Sequence, residues 1–464
     1  MTAHHRRDGP GVARDGVVVL IAIVLVVGVC AGSKWALLGA PIGLLWRLRA
    51  ATVACCVAVA VFGGWLGTHA WESARPRHLG EYRGWAELVA DPAPFGQGLR
   101  ATFEIEGERF DAWLYGGQRR KLADRQAGEF VWVQGRRSEL TTGARWAAVR
   151  HVVGRFTPTV LADVLAGSAL DQASNRVRRS LRGVAEATMA SDDAALFSGL
   201  VIGDDARQRP EVIDAFRGSG LSHLTAVSGQ NVAFVLAAAL PLLRRLRPWW
   251  RWAATVALVA WFMALTRFEP SVLRAGVMAM LAATAFVRGT QASPVRLLAL
   301  AIIALVTLDP LLVWSVGFWL SVGATAGVCV VGPWLRERVP GPPWLRLPMA
   351  VTLGAQIGVV LPSVLVFHRL PVVSLPANLL AVPAAGFVML YGLPAGMVAA
   401  ALPSALQQVI MLPAKWGTHW VSLVARLGFA VEPAPMWSAA CWSIGLLAWF
   451  CWWHFRPHPA RVPI

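Results

Sequence analysis

The sequence predicts a polytopic α-helical membrane protein that carries a small extracytoplasmic β-barrel near its N-terminus. Composition points there first: of 464 residues, 56% are hydrophobic and only 15% charged, against about 25% charged in a typical soluble domain. Most of the chain lies in apolar runs near the roughly 20 residues that a helix needs to cross a bilayer. Helices are required there because lipid offers backbone amides no water to bond. One polar stretch of strand-like alternation, about residues 71 to 156, interrupts this pattern.

Three apolar segments open the chain: Gly16–Gly32, the short Trp35–Trp46 and Ala50–Thr68. The first follows Arg6, Arg7 and Arg14, a pattern shared with secretory signals, but another apolar stretch follows at once. With those arginines cytoplasmic, Arg47 and Arg49 also fall inside, and the third segment exits. Residues 1–70 are therefore expected to be N-terminal transmembrane segments with a cytoplasmic N-terminus.

Residues 71–156 are then placed outside. Leu99, Ala101, Phe103 and Ile105 alternate with Arg100, Thr102, Glu104 and Glu106, and Phe110, Ala112 and Leu114 with Asp111, Trp113 and Tyr115. These are two half-buried strands joined by a hairpin turn at Gly107-Glu108. Phe130–Gly135 and Trp146–Val153 read as further strands. Four or five short strands with Gly turns suggest an OB-like barrel.

Residues 157–220 are read as linker helices. Within them, Arg176, Arg178, Arg179 and Arg182 lie beside Val177, Leu181 and Val184. That helix lies along the membrane surface or packs on the barrel.

A second membrane domain is expected over 221–456, with a cytoplasmic tail at 457–464. Spans are predicted at Gly229–Leu243, Trp249–Thr266, Ser271–Val287, Val295–Leu308, Leu311–Val331 and Leu347–Phe367. Further apolar segments fill Val372–Leu402, Ser404–Phe429 and Trp437–Phe455. Arg244, Arg245, Arg247, Arg251, Arg288, Arg296, Arg336, Arg338 and Arg346 fall in alternate loops, against Arg267, Arg274 and Arg369 in the others. That asymmetry marks the richer set as cytoplasmic and again puts the β module outside.

The formal net charge is +17. Arginine-rich cytoplasmic loops and contact with anionic lipid explain such a charge; a polyanionic substrate explains it too. The six cysteines, Cys30, Cys55, Cys56, Cys329, Cys441 and Cys451, all sit in apolar stretches without metal-ligand spacing. No cofactor or metal is expected, and no GxxxxGK[ST] loop for ATP hydrolysis occurs.

Polar residues run directly into the first span of the second membrane domain: His223, Ser228, Gln230 and Asn231. At membrane depth such groups imply pairing or a wet cavity. Ser228 and Asn231 also suit a helix cap. Pro270 starts a helix that carries Arg274 one turn in. Arg274 snorkels outward, pairs with Glu269 or lines a wet path. Asp309 reads as a helix cap, and Gln356, His368 and Asn378 complete the polar set.

These elements, in order, resemble the competence domain of the ComEC family. The resemblance rests on Gly203-Asp204, Phe216, Gly220-Leu221, His223-Leu224, Ala226-Val227-Ser228-Gly229, Pro270 to Ala275, Asp309-Pro310, Gly317-Phe318, Gln356, Pro362, Asn378-Leu379-Leu380 and Pro383. It covers about Leu200 to Pro394. Gln230-Asn231 and Trp319 depart from the family's usual residues. Full-length members often add a metallo-β-lactamase-like domain; no HxHxDH motif occurs here, so the expectation is a non-enzymatic protein.

The resemblance implies a bacterial plasma-membrane channel that imports single-stranded DNA during natural transformation. Its expected substrate path is His223, Ser228, Gln230, Asn231, Arg274, Gln356 and Asn378. Trp113, Tyr115 and Trp132 are expected to stack bases or to fill the barrel core. Arg119, Arg120, Lys121, Arg136 and Arg137 are expected to hold phosphates, and Arg176, Arg178, Arg179 and Arg182 to funnel the strand inward. Expected partners are single-stranded DNA, membrane lipids, a DNA receptor, a separate nuclease, a cytoplasmic motor ATPase and further copies of the chain. Two other readings are a solute or lipid transporter on the same fold, and an intramembrane serine hydrolase using Ser228 with His223, His368 or His419.

Overall fold

A computed structural model describes residues 10–32, 50–140, 145–225, 228–290, 292–367, 371–434, 437–438, 440–444 and 447. The expected segment Trp35–Trp46 with Arg47 and Arg49, His368 and Arg369, most of Trp437–Phe455 and the tail lie outside these residues.

The chain opens with two packed helices, α1 (Pro10–Ala31) and α2 (Ala50–Ser73). They approach closely because glycine lies at the contact: a Cβ on Gly63 would press on the Leu25 carbonyl oxygen at 2.7 Å. α2 runs past the expected end at Thr68, to Ser73.

Next comes one sheet of six strands: β1 (Gly80–Leu88), β2 (Ala93–Phe95), β3 (Gly98–Ile105), β4 (Glu108–Leu114), β5 (Phe130–Glu139) and β6 (Val152–Leu165), in the order β1-β5-β6-β4-β3-β2. β4 and β6 pair in parallel; the other neighbours are antiparallel. β1 also meets β3, but over only two residue pairs, Glu87–Glu104 and Leu88–Phe103. Along its other edge β1 pairs with β5 over eight residues, from Gly80 to Glu87. The module is therefore a curved sheet and not a closed barrel, which corrects that expectation. Alternation did predict the buried face, where Phe103, Ile105, Phe110, Val133 and Phe156 are fully enclosed.

Local readings shift at two places. The β3–β4 turn is Glu106-Gly107, both left-handed with φ 53° and 77°, as a two-residue hairpin loop demands. The expected strand over Trp146–Val153 is instead the short helix α4 (Arg145–Ala148), a turn and the start of β6. β6 stays paired with β5 as far as Leu165, so strand continues into the stretch expected to be linker. A further short helix, α3 (Gly116–Leu122), follows β4.

Helices α5 (Ala169–Thr188), α6 (Ser191–Ile202), α7 (Pro210–Gly218) and the single turn α8 (Ser222–Thr225) lead into the second bundle. α5 starts from a capping box in which Ser168 and Asp171 bond reciprocally. The bundle comprises α9 (Gly229–Leu243), α10 (Pro248–Leu265), α11 (Pro270–Val287), α12 (Pro294–Leu308), α13 (Val316–Ala326), α14 (Gly332–Arg338), α15 (Pro343–Phe367), α16 (Ser374–Ala399) and α17 (Ser404–Val431).

The expected span Leu311–Val331 is not one α-helix. Pro310–Trp314 is a 3-10 turn, α13 follows, and Gly327–Val331 forms a π turn leading into α14. The π turn sits where α13 meets α15 backbone to backbone: a Cβ on Gly327 would overlap the Gly354 carbonyl, and one on Gly358 the Gly323 carbonyl.

Among the described residues, five segments are long and apolar enough to cross a membrane: Ala51–Ser73, Pro270–Val287, Val316–Arg338, Pro343–Val366 and Ser374–Ala399. Asp15–Ala31, Gly229–Leu243 and Pro294–Leu308 are shorter apolar helices. The expected spans Trp249–Thr266 and Ser404–Phe429 are helical, as α10 and α17, but fall outside the five. The largest core joins α5 to α11 with α16 and α17, around Phe197, Phe216, Phe262 and Val388.

Candidate substrate cavity

A cavity of about 2220 Å³ opens between the sheet module and the second bundle. It exceeds the roughly 300–1,000 Å³ of ordinary small-molecule pockets. Its lining includes Glu87, Thr102, Glu104 and Arg109 of the sheet and Gln356, Ser374 and Asn378 of α15 and α16.

Six of the seven predicted path residues line it: His223, Ser228, Gln230, Arg274, Gln356 and Asn378. Asn231 does not. It is buried, accepts a hydrogen bond from Ser228 Oγ (3.2 Å) and donates Nδ2 to the Leu200 carbonyl (2.8 Å). Ser228 stands at the N-cap of α9, yet its side chain caps no backbone amide. Its hydroxyl is spent on Asn231, and among the described residues no histidine bonds to it. His419 lies elsewhere, 3.0 Å from Asp193.

Arg274 is only 6% exposed. It does not pair with Glu269; its Nε donates to Ser321 Oγ (2.8 Å) and its Nη1 approaches Met278 Sδ (3.4 Å). Gln356 donates to Ser374 Oγ (2.7 Å), and Asn378 Nδ2 to the Ser374 carbonyl (2.7 Å). Asp309 caps the 3-10 turn through Leu311 N (3.0 Å) and holds His151 of the sheet module at 3.0 Å.

None of the twelve residues expected to contact DNA lines the cavity. Trp113 is half-buried, edge-on to Phe95 and under the Arg155 guanidinium. Tyr115 is exposed, and Trp132 is half-buried beneath Arg83. Arg119 donates to the Gln97 carbonyl (2.9 Å) and Lys121 to the Leu161 carbonyl (2.7 Å); Arg120 and Arg136 are exposed. Arg137 is buried, 2.5 Å from Glu106 and over the Tyr82 ring. Arg176 and Arg179 are exposed, the latter 3.7 Å from Glu129, while Arg182 pairs with Asp204.

Arg178 proves structural. It is 2% exposed and donates to the Ile202 and Leu265 carbonyls (2.8 and 3.0 Å) and to Asp91 (2.6 Å). Asp91 also accepts from Ala127 N (2.8 Å) and Arg267 (3.1 Å), and Arg267 reaches Asn175 Oδ1 at 2.5 Å. One carboxylate thus ties the sheet module to α5 and to the loop after α10. Burial pushes the Asp91 carboxyl up, but the two guanidiniums and the amide outweigh it and hold it below the usual carboxylate range.

Sequence reading missed this junction, as well as Asp205 and Glu269 as cavity groups. The available signal was the charge density of Arg267-Phe268-Glu269 beside Pro270. Arg267 and Phe268 both adopt positive φ (60° and 54°), a conformation unusual for residues with side chains. That bend sends Arg267 toward Asp91 and leaves Glu269 at the cavity. Burial and the neighbouring Asp205 raise the Glu269 pKa; burial and Asp204 raise that of Asp205; burial and Glu104 raise that of Glu87.

Six carboxylates line the cavity, Glu87, Glu104, Asp171, Asp205, Glu269 and Asp309, beside five guanidiniums, Arg109, Arg150, Arg217, Arg267 and Arg274. The strongly basic balance of the chain is therefore not repeated on this lining.

Five helices long and apolar enough to cross a bilayer, with polar residues at their ends lining a large cavity, fit a multi-pass membrane protein. The chain belongs to the competence protein family, whose pattern, described as Competence protein, matches residues 200–456.

The chain is similar to the ComE operon protein 3 of Bacillus subtilis (strain 168), 26% identical over 255 residues, 54% of this chain and 32% of that protein. It is similar to Competence protein ComA of Neisseria gonorrhoeae, 28% identical over 282 residues, 56% of this chain and 39% of that one. It also resembles the uncharacterized protein YcaI of Escherichia coli (strain K12), 28% identical over 221 residues, 44% of this chain and 29% of that one. The chain spans about a third of the length of these relatives. No solved structure matches it.

Proposed function

We propose that this protein is a non-enzymatic passage for single-stranded DNA across the bacterial plasma membrane in natural transformation. The observation that carries this reading is the cavity, which runs from the sheet module to the broken, polar helix ends of a competence-family bundle. A strand with one charge per nucleotide cannot enter hydrocarbon and needs such a lined, wet route.

The sheet module supports a role as the outer strand receiver, with the N-terminus of the chain cytoplasmic. Its strand pairing, with β4 parallel to β6 and a short β1–β3 contact, favours an OB-like assignment. OB folds are partly open Greek-key barrels that bind oligonucleotides. Tyr115 and exposed Arg120 and Arg136 then offer stacking and phosphate contacts. Movement is driven by a partner ATPase or by capture of DNA inside, and a receptor and a separate nuclease supply the strand.

Deletion of the gene in its host, followed by a transformation assay, tests the reading. Transformant yield is expected to fall by orders of magnitude; unchanged yield overturns it.

A second reading, a transporter of another solute or lipid, draws on the balanced charge of the cavity lining. Salt-dependent binding of labelled single strands to the purified full chain supports the DNA reading, since phosphate contacts release counterions.

A further inference from the structure

Among the described residues, one guanidinium of the cavity lining has no carboxylate partner. Arg274 is 6% exposed, and among the described residues no carboxylate forms an ion pair with it. The other four cavity guanidiniums each have one: Arg109 with Glu104, Arg150 with Asp111, Arg217 with Asp214 and Arg267 with Asp91. Arg274 spends Nε on Ser321 and Nη1 on Met278, leaving Nη2 directed at Gly229.

Gly229 is the first residue of α9, a helix of 15 residues. The opening amides of a helix have no intrahelical acceptor and carry its positive dipole end. Here Ser228 leaves them uncapped, because its hydroxyl bonds Asn231 instead. Glycine makes the approach possible: a Cβ at 229 would stand 2.9 Å from Arg274 Nη2 and 2.9 Å from the Ala275 Cβ. A buried guanidinium and an uncapped helix start therefore converge on one point of the cavity wall, where Ser228, Gly229, Gln230 and Arg274 all contribute lining.

We infer that Arg274 and the first-turn amides of α9 at Gly229 and Gln230 form a phosphate-binding station inside the passage. The ligand is one phosphodiester group of the translocating strand. This rests on the strand-passage reading and refines it: the station holds a single backbone charge beside the first turns of α9 and α11. Helix starts bind phosphate through the same amides and dipole. Arginine adds a charge-assisted donor of fixed geometry.

The test uses the full chain in nanodiscs of phosphatidylcholine, with a labelled 12-nucleotide single strand and, separately, inorganic phosphate. Arg274→Gln is expected to weaken strand binding about tenfold, the loss of one charged hydrogen-bonding partner. Gly229→Ala keeps the charge but fills the cradle and is expected to weaken it similarly. Arg274→Lys is expected to fall between wild type and Arg274→Gln.

Gel filtration and thermal unfolding confirm that each variant is folded. If Arg274→Gln fails to fold, Gly229→Ala decides. Wild-type affinity in the folded variants overturns the station while leaving strand passage standing. Arg274-dependent binding of inorganic phosphate without any strand binding keeps the station and overturns strand passage. Phosphatidylglycerol in the disc displacing bound phosphate assigns the station to a lipid headgroup and overturns the strand as its ligand.

Discussion

Asp91 is the counter-charge of two guanidiniums, those of Arg178 and Arg267. Replacing it with Ala leaves Arg178, 2% exposed, beside Arg267 without a counter-charge. Breaking a buried pair in this way costs about 3–5 kcal/mol. Asp91→Ala is therefore expected to lower the midpoint of thermal unfolding markedly in detergent. Because the folded Asp91 carboxyl lies below its ordinary value, its contribution is complete above the unfolded value of about 3.9. It is lost as pH falls through the folded value. The difference between wild type and Asp91→Ala should hold from neutral pH to about 5 and shrink in stronger acid.

Glu269 behaves in the opposite sense. Desolvation at the cavity wall and Asp205 raise its folded pKa; because the residue is exposed, its ionisation at neutral pH weighs only slightly against the fold. Glu269→Gln is expected to unfold at a higher temperature than wild type at pH 7. That gain should vanish below about pH 4, where the carboxyl is neutral in both states. A gain independent of pH would contradict this assignment. Asp91 could not have been singled out from the sequence, because its role arises from contacts between segments far apart in the chain. Arg178 shows the same limit: an arginine among three others on one helix looks solvated until its burial is seen.

At the level of elements, alternation and capping were legible and backbone intimacy was only half so. The β3–β4 hairpin follows from its apolar alternation, and Pro270 and Asp309 mark their starts as expected. The end of β6 was not legible, since residues after Phe156 pair with β5 without a clean apolar repeat. Two small-residue patterns were readable and carry weight: Gly323 with Gly327, and Gly354 with Gly358, each pair four apart. They let α13 and α15 touch backbone to backbone and hold Gln356 between the second pair at the cavity. Gly358→Val forces the helices apart and is expected to cost about 1–3 kcal/mol. It should also weaken crosslinking between cysteines introduced along α13 and α15.

At the scale of the molecule, the sequence conveyed the order of apolar helix, sheet and apolar helices, and six of the seven residues expected along a path line one cavity. It did not convey the charge balance of that cavity, because pairing is decided by folding and total charge is not. Orientation is open to direct measurement. A cysteine at exposed Arg136 should react with a membrane-impermeant maleimide in intact cells, and protection there would place the sheet on the cytoplasmic side. Strand binding should weaken steeply with salt if several phosphates are held, with log affinity falling about 0.7 per contact for each unit of log salt.

The mixture of signs on the cavity wall bears on how a polymer moves. A tunnel lined only by cations would grip a polyanion along its whole length and become a trap. Conduction requires attraction weak enough for release at each step. On the strand-passage proposal, carboxylates set among guanidiniums would keep each well shallow, so that a thread is guided sideways while remaining free to slip lengthwise.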